Sequence, residues 1–349
     1  MDKINVFSIL IICGYMLFSC DSSKKQVVSE HLKSIDSLLL EVGIPTEMKK
    51  CGNSIFIVDM FNGDSLISIY DIEKKKKIYS FGKKGNGPNE FLHISNLDIS
   101  YNEKNELLLY VFDPIRKKIT TYKYDSLMNK TNILCNEETI KDHIPYLEGV
   151  WKLENGYISI GRMENNKYVL LSDSLDILKF SGNYRPKHDK NISNVLHRRA
   201  NHGKIELSWD KKTMVEIVYN ASVLSCYNIK TDSLDKKWEH VIEELDYHID
   251  GKEIVNNNVM GYLSASVGSH YVYALYSGHY ANPDEIATFG NEVHVYDNQG
   301  NLKYNLILES PAFLLSVDEN KGKIFALCHE PETTVMIYNL PCFDKIQNN

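Results

Sequence analysis

The sequence predicts an all-β fold, namely a six-bladed β-propeller with four antiparallel strands per blade. The first observation is an internal repeat, in which one strand-like run ends in Asp and a second run ends in Tyr. In residues 54–71 this pair is Asp59 and Tyr70, and in residues 108–125 it is Asp113 and Tyr124, which lie 54 positions further along. A repeat of about this length is typical of arrays of similar sheets.

The second observation is the even spacing of six β-rich runs. The runs are SIFIVDM, ELLLYVF, YISIGRM, MVEIVYN, YVYALYS and KIFALCH, which begin at residues 54, 106, 157, 214, 271 and 323. Their partner runs end at Tyr70, Tyr124, Ser172, Tyr227, Tyr296 and Tyr338. Units of about fifty residues favour a closed propeller over a linear solenoid, because a four-strand meander fits one blade and circular closure protects the sheet edges.

The last unit contains three clear strands, so another part of the chain must supply its fourth. The N-terminal stretch Asp36–Val42 is the favoured candidate, because its addition would close the ring. The C-terminal stretch Leu340–Ile346 is the competing candidate.

The N-terminus has the pattern of an export signal. Its apolar run, Val6–Phe18, is too short for a membrane span, which needs roughly 20 residues. Leu17–Cys20 resembles the lipobox of bacterial lipoproteins, which implies cleavage before Cys20 and lipid attachment to its thiol. We therefore expect a signal peptide at 1–19, a lipidated tether at 20–35 and the propeller at 36–349. The alternative is a plain secretory signal with an incidental Cys.

Composition restricts the functional classes. A formal net charge of -7 and a pI near 6.0 give no basic surface for nucleic acid. The cysteines that remain after Cys13 and Cys20 are odd in number: Cys51, Cys135, Cys226, Cys328 and Cys342. Buried free thiols are favoured over a disulfide framework. No CxxC or HExxH spacing occurs, so a zinc site has no support.

A glycine-rich segment, FGKKGNGPNEF at Phe81–Phe91, follows the first unit. It is similar to a signature of TolB-like six-bladed propeller lipoproteins and, more loosely, to the linker between NHL repeats. LYSGHY at Leu275–Tyr280 and GNEVHVYDNQGNL at Gly290–Leu302 also resemble segments of that family. The resemblance implies the propeller architecture and no shared enzymatic activity.

The same segment could be interpreted as a phosphate cradle or as a tight connection between blades. Phosphate loops lead into a helix, whereas strands flank this segment on both sides. The structural interpretation is favoured, with glycines permitting positive φ, a proline stiffening the loop, a glutamate accepting backbone N–H groups and an aromatic ring packing between blades. The residues concerned are Gly82, Gly85, Gly87, Pro88, Glu90 and Phe91.

Connection lengths predict which face carries function. In a four-strand blade with strands A to D, the A–B and C–D turns lie at one end, and the B–C turns and the crossovers to the next blade lie at the other. The long connections fall almost entirely at the second end: Gly82–Ile94, Asn136–Leu147, Gly182–Gly203, Val241–Val259 and Ser277–Gly290. Long loops on a rigid scaffold usually carry binding sites.

Two long connections have opposite charge. Gly182–Lys204 has six basic residues and one acidic residue, whereas Val241–Val259 has five acidic residues and one basic residue. Mutual neutralisation is one interpretation. The other is a site for an anionic or polar ligand, in which the guanidinium groups suit carboxylates and phosphates. The candidate residues are His197, Arg198, Arg199 and His202.

An aromatic and polar cluster begins the fifth-blade loop at Tyr276, His279 and Tyr280. These side chains are candidates for sugar or peptide binding near the channel mouth. The alternative is that they pack the loop onto its sheet.

Catalysis is the competing functional class. Some six-bladed propellers are calcium-dependent lactonases or esterases, and this analogy points to Asn96, Glu148 and Asn258 as candidate axial ligands. No general base accompanies them, and no GxSxG motif occurs. The sequence therefore favours a non-enzymatic, cofactor-free binding or scaffold protein of the cell envelope, anchored by lipid, with the outer membrane preferred. Its expected partner is an envelope protein, a peptide or a glycan.

Overall fold

The computed structural model describes residues 27–343, apart from 62–64, 131–134, 188–190, 251–252, 257, 281–287 and 330. The predicted signal peptide and the predicted lipidation at Cys20 lie outside the described residues. Two strands open the described chain, β1 (Val28–Leu32) and β2 (Ser34–Leu39). Within the described residues, the first strand begins at residue 28, several residues before the predicted propeller boundary at residue 36.

Six sheets of four or five strands form the propeller. Blade 1 consists of β3 (Pro45–Cys51), β4 (Ser54–Asp59), β5 (Ile67–Asp71) and β6 (Lys76–Phe81). A small parallel pair, β7 (Lys83–Lys84) and β8 (Glu90–Phe91), follows it. Blade 2 consists of β9 (Asn96–Tyr101), β10 (Leu107–Asp113), β11 (Lys118–Lys123) and β12 (Cys135–Thr139), with helix α1 (Tyr124–Asn129) between its last two strands. Blade 3 consists of β13 (Leu147–Lys152), β14 (Tyr157–Gly161), β15 (Asn166–Leu171) and β16 (Ile177–Asn183).

The second half of the chain repeats this pattern. Helix α2 (Asn194–Ala200) precedes blade 4, which consists of β17 (Gly203–Leu207), β18 (Thr213–Val218), β19 (Val223–Ile229) and β20 (Leu234–Val241). A hairpin, β21 (Tyr247–Asp250) and β22 (Glu253–Asn256), follows it. Blade 5 consists of β23 (Tyr262–Val267), β24 (Tyr271–Tyr276), β25 (Gly290–Asp297) and β26 (Leu302–Ala312). Blade 6 takes β27 (Leu314–Asp318), β28 (Lys323–Cys328) and β29 (Thr334–Asn339) from the C-terminus.

The N-terminal segment closes the ring. Strand β2 pairs antiparallel with β29 and supplies the fourth strand of blade 6. This confirms the predicted N-terminal closure over the C-terminal alternative. Strand β1 pairs in parallel with β26 and adds a fifth strand to blade 5. The segment thus joins two neighbouring blades at their outer edges.

The repeated Asp is a structural residue. Asp59 is buried and accepts the backbone N–H groups of Phe61 and Gly43. Asp113 is also buried and accepts the N–H groups of Leu92 and Ile115. Each carboxylate therefore ties the connection that enters a blade to the B–C turn of that blade, which explains the repeat without any ligand.

Cross-axis ion pairs hold the centre of the ring. Lys49 and Glu206 form one pair, and Lys204 Nζ lies 2.6 Å from Glu47 Oε1 in the other. Both pairs join blades 1 and 4, which are opposite each other in a ring of six. The cavity beside them measures 30 Å³, which is space for about one or two water molecules.

The connections differ between the two faces as predicted, with one exception. The crossovers and B–C loops on one face include β7 and β8, α2 and the β21–β22 hairpin. We call this end the long-loop face and the other the short-turn face. The exception is α1, which lengthens the C–D connection of blade 2 on the short-turn face, so Tyr124 begins a helix rather than ending a strand. Within the described chain, no helix has the length and apolarity that a membrane crossing requires.

Candidate functional site

A cavity of 740 Å³ opens on the long-loop face between blades 3 and 4. We call it the interblade cavity. Blade 3 contributes the end of β14 and the start of β15, blade 4 contributes β18, and α2 forms one wall. Its charged lining residues are Glu148, Arg162, Lys167, Arg198, Arg199 and Glu216. Four basic side chains against two acidic ones leave a surplus of positive charge.

A buried ion pair joins the two blades at this cavity. Lys167 of β15 contacts Glu216 of β18, and the side chains are only 8% and 5% exposed. The hydroxyl of Tyr227 donates a further hydrogen bond to Glu216 at 3.4 Å. Because each charge is desolvated, each depends strongly on its partner. This pair fixes the separation of blades 3 and 4.

Glu148 forms a second charged group at the cavity wall. Its carboxylate lies 3.1 Å from Nε of Arg162 and 3.6 Å from Nδ1 of His202. Hydrogen bonding from His202, assisted by Arg162 and opposed by burial, lowers the pKa of Glu148. Arg162 and His202 therefore both have Glu148 as a partner within the protein.

Arg198 and Arg199 differ from these residues, because neither guanidinium forms an ion pair with a carboxylate among the side chains that the structure describes. Arg198 is partly buried, and within the described residues its guanidinium donates one long hydrogen bond, to the carbonyl of Met163 at 3.5 Å. Arg199 is exposed. A guanidinium presents a planar fork of donors that suits carboxylate and phosphate oxygens. The wall contributed by α2 can therefore receive an anionic group.

Helix α2 is held in place by His197. Its Nδ1 lies 3.0 Å from the hydroxyl of Tyr247, and its Nε2 lies 2.7 Å from the carbonyl of Arg185. Ser193 caps the helix by accepting the N–H of Leu196 at 3.3 Å. The structure therefore places His197 in a buried anchoring position, outside the cavity wall, while Arg198, Arg199 and His202 line the wall.

Neutralisation between the two oppositely charged crossovers is centred on Arg185. Its guanidinium lies 2.6 Å from Glu244 and 3.2 Å from Glu239. A small apolar cluster that includes Ile192 and Tyr247 packs the two connections together. Glu244 of the acidic crossover and Glu239 of β20 thus pair with Arg185 rather than with Arg198 or Arg199.

Tyr276, His279 and Tyr280 do not line the interblade cavity. The ring of Tyr276 stacks on His294 at 5.0 Å and packs against Tyr262, as the packing interpretation expects. His279 and Tyr280 are exposed at the surface.

The glycine-rich connection is braced by its own residues and by blade 2. Glu90 accepts the N–H of Gly87 at 2.6 Å, and the ring of Phe91 is buried between blades 1 and 2. Gly82 has φ +74° and lies so close to Phe91 that a Cβ atom would be 3.1 Å from the ring. Arg116 donates to the carbonyl of Asn86 at 2.9 Å. These contacts account for the motif, with Gly85 and Pro88 shaping the same turn.

The residues of the calcium hypothesis are engaged elsewhere. Asn96 donates to the carbonyl of Val150 at 2.6 Å and accepts its N–H at 2.9 Å, so it clamps blade 2 to blade 3. Glu148 pairs with Arg162 and His202, and Asn258 accepts the N–H of Asp246 at 2.6 Å. Among the described residues, no group of three or more His, Cys, Asp or Glu side chains is arranged to hold a metal ion.

Sequence reasoning missed the residues that blades 3 and 4 contribute to the cavity. Arg162, Lys167 and Glu216 lie on different strands or turns and become neighbours only when the blades pack. No local motif marks them. The one available signal was that these charged residues occur in or beside β-rich segments, where a buried charge is usually paired with an opposite one.

A second cavity, of 450 Å³, lies between blades 2 and 3 on the short-turn face. We call it the short-turn cavity. Tyr110 and Tyr157 form part of its wall with a ring separation of 6.4 Å, and Glu138 lies beside them. Blade 3 therefore separates two cavities that open at opposite ends of the propeller.

Solved structures show the same architecture at low identity. A predicted exported protein from Bacteroides fragilis matches with a TM-score of 0.57 and 10% identity, over 90% of this chain and 99% of that one. A DUF4221 family member from Bacteroides vulgatus matches with a TM-score of 0.57 and 10% identity, over 88% and 97%. The propeller domain of Cps50 (Swd1) from Myceliophteria thermophila matches with a TM-score of 0.51 and 8% identity, over 89% of this chain and 100% of that one. These likenesses show the fold alone.

The sequence matches no curated protein. The model of the TolB-like six-bladed propeller family matches residues 21–320, which is most of the chain. The six closed blades, the N-terminal closing strand and this match together show that the chain belongs to the TolB-like six-bladed propeller family.

Proposed function

We propose that this chain is a non-enzymatic, lipid-anchored binding protein of the cell envelope, and that its interblade cavity receives a small anionic ligand. The observation that carries the proposal is a pair of guanidinium groups, Arg198 and Arg199, on the wall of a 740 Å³ cavity, for which the described side chains provide no carboxylate partner. Cavities of a few hundred Å³ commonly hold small molecules. A carboxylate or phosphate would supply the charge that the wall lacks.

The charges of the wall also support a specific site rather than a general basic surface. The protein is acidic as a whole, with a formal net charge of -7. The positive surplus is therefore local, and the buried Lys167–Glu216 pair keeps the two blades at a fixed spacing. Pre-formed sites lose little conformational entropy on binding.

The binding experiment uses a panel of four anions: phosphate, citrate, glucuronate and N-acetylneuraminate. We expect calorimetry to detect at least one of them, and we expect the double variant Arg198→Gln/Arg199→Gln to bind it at least about tenfold more weakly, because charge-assisted hydrogen bonds contribute about 1.5–3 kcal/mol each. The matched control is Lys83→Gln/Lys84→Gln, which removes the same charge from exposed residues of the same face. Equal loss in both variants would contradict a specific site.

Anchoring has its own test. The similarity to a predicted exported protein and the lipobox-like Leu17–Cys20 favour export followed by lipid attachment, with the outer membrane as the preferred destination. We expect the wild-type chain in the membrane fraction with incorporated palmitate, and we expect Cys20→Ser to appear unlabelled in the soluble fraction. Membrane retention of the unlabelled variant would contradict lipid anchoring.

A further inference from the structure

The short-turn cavity differs in chemistry from the interblade cavity and lies at the other end of the propeller. Tyr110 and Tyr157 come from adjacent blades, and their rings meet edge to face at an interplanar angle of 78°. The ammonium group of Lys152 lies over the ring of Tyr157, 5.0 Å from its centroid. The cavity therefore has an aromatic wall that two blades share.

The ammonium groups around this cavity are paired within the protein. Lys152 Nζ lies 2.8 Å from Asp173, and Lys123 Nζ lies 2.7 Å from Glu106. Glu138 is half-buried and accepts a hydrogen bond from Asn136 at 3.0 Å. With its cations already neutralised, this cavity offers hydrogen-bonding groups and aromatic surface rather than a free cation.

Two exposed aromatic side chains lie on the same face of the propeller as the cavity, outside its wall. Tyr101 directly precedes Asn102, which lines the cavity, and its ring packs edge to face on Trp209 at 5.9 Å. The two side chains are 49% and 52% exposed, although they come from different blades. Large aromatic surfaces are more often buried or used in recognition than left in water. We call this pair the aromatic platform.

A buried network beneath the platform makes it rigid. Asp98 binds Lys211 of the same turn as Trp209, with both carboxylate oxygens within 2.9 Å of Nζ. Asp98 also accepts the N–H of Lys152 at 3.0 Å, and Lys152 lines the cavity. The platform and the cavity therefore share one fixed support, which reduces the entropy lost when a ligand spans both.

We propose that the short-turn cavity and the aromatic platform together bind a neutral oligosaccharide. The apolar C–H face of a pyranose ring packs on exposed Trp and Tyr rings. The hydroxyl groups of the next sugar match the carboxylate, amide and hydroxyl groups of Glu138, Asn136 and Thr121 in the cavity. This site is independent of the anion site on the long-loop face.

The test uses the full-length chain purified in a zwitterionic detergent without a sugar headgroup. The probes are four neutral hexasaccharides: maltohexaose, cellohexaose, laminarihexaose and chitohexaose. We expect at least one to bind with a Kd below about 1 mM and to change the tryptophan emission. Trp209→Ala should abolish the emission change, and Trp209→Ala and Tyr101→Ala should each weaken binding at least about tenfold in calorimetry.

Two control variants show whether oligosaccharide binding depends on the platform itself. Phe61→Ala removes an aromatic side chain that is 70% exposed on the long-loop face, and it should leave oligosaccharide binding unchanged. Arg198→Gln/Arg199→Gln should also leave it unchanged, so failure of the anion site and failure of this site are distinguishable. The proposal is overturned if all four probes fail to bind at about 5 mM, or if Trp209→Ala binds as well as the wild type.

Discussion

The two cavities that flank blade 3 have similar architecture and different charge pairing. Each lies between adjacent four-stranded sheets. In the interblade cavity, Arg198 and Arg199 form no ion pair with a described side chain, whereas the short-turn cavity has its cations paired. The difference arises from the connections. A long crossover with α2 brings surplus charge to the first cavity, whereas the second is lined mainly by side chains of strands and strand ends in blades 2 and 3. The packing of adjacent blades thus creates both cavities, and the source of their lining side chains determines the charge of each.

The largest expected effect concerns the ion pair at the interblade cavity. Lys167→Met should reduce the free energy of unfolding by about 3–5 kcal/mol, because it leaves the buried Glu216 without its cation. Urea denaturation measures this change. Lys123→Met, which breaks the exposed pair with Glu106 at the short-turn cavity, should cost less than about 1 kcal/mol. Equal costs would show that the two cavities do not differ in this way.

Ionic strength should separate the ligands of the two cavities. Anion binding in the interblade cavity should weaken several-fold as sodium chloride rises, because the Arg199 side chain is exposed and its charge is screened. Oligosaccharide binding at the aromatic platform should stay nearly constant, since packing and neutral hydrogen bonds carry it. Calorimetric titrations at low and high salt measure both. An equal weakening of anion binding and oligosaccharide binding by salt would contradict this electrostatic difference between the two cavities.

A smaller effect concerns Glu138 of the short-turn cavity. Burial raises its pKa above the ordinary value of 4.5. The folded state therefore holds this proton more tightly than the unfolded state, so the contribution of Glu138 to stability is greatest below pH 4.5 and is lost as pH rises through the folded-state pKa. Glu138→Gln should remove this dependence and raise the melting temperature slightly at pH 7. The difference in melting temperature, variant minus wild type, should be larger at pH 7 than at pH 4. A smaller difference at pH 7 would contradict the raised pKa of Glu138.

The blade repeat could be predicted from the sequence because strand alternation and the Asp–Tyr spacing are local properties. The closing role of the N-terminal segment also followed, since the last unit lacked one strand. The additional pairing of Val28–Leu32 with blade 5 did not follow, because a parallel edge strand leaves no local signature.

The candidate site was predictable only in part. The crossover that carries Arg198 and Arg199 stood out by its length and charge, and both residues lie at the cavity. The basic stretch gave no sign that His197 points inward to Tyr247, because burial on a short helix depends on the neighbouring crossover. The Lys167–Glu216 pair could not be predicted, since the packing of two blades brings together residues 49 positions apart.

The most direct test of the account is a crystal structure of the chain with the tightest-binding anion of the panel. The account predicts ligand density in the interblade cavity, with a carboxylate or phosphate oxygen within hydrogen-bonding distance of the Arg198 or Arg199 guanidinium. Ligand density confined to the axis, to the short-turn cavity or to the outer surface of the blades would contradict it.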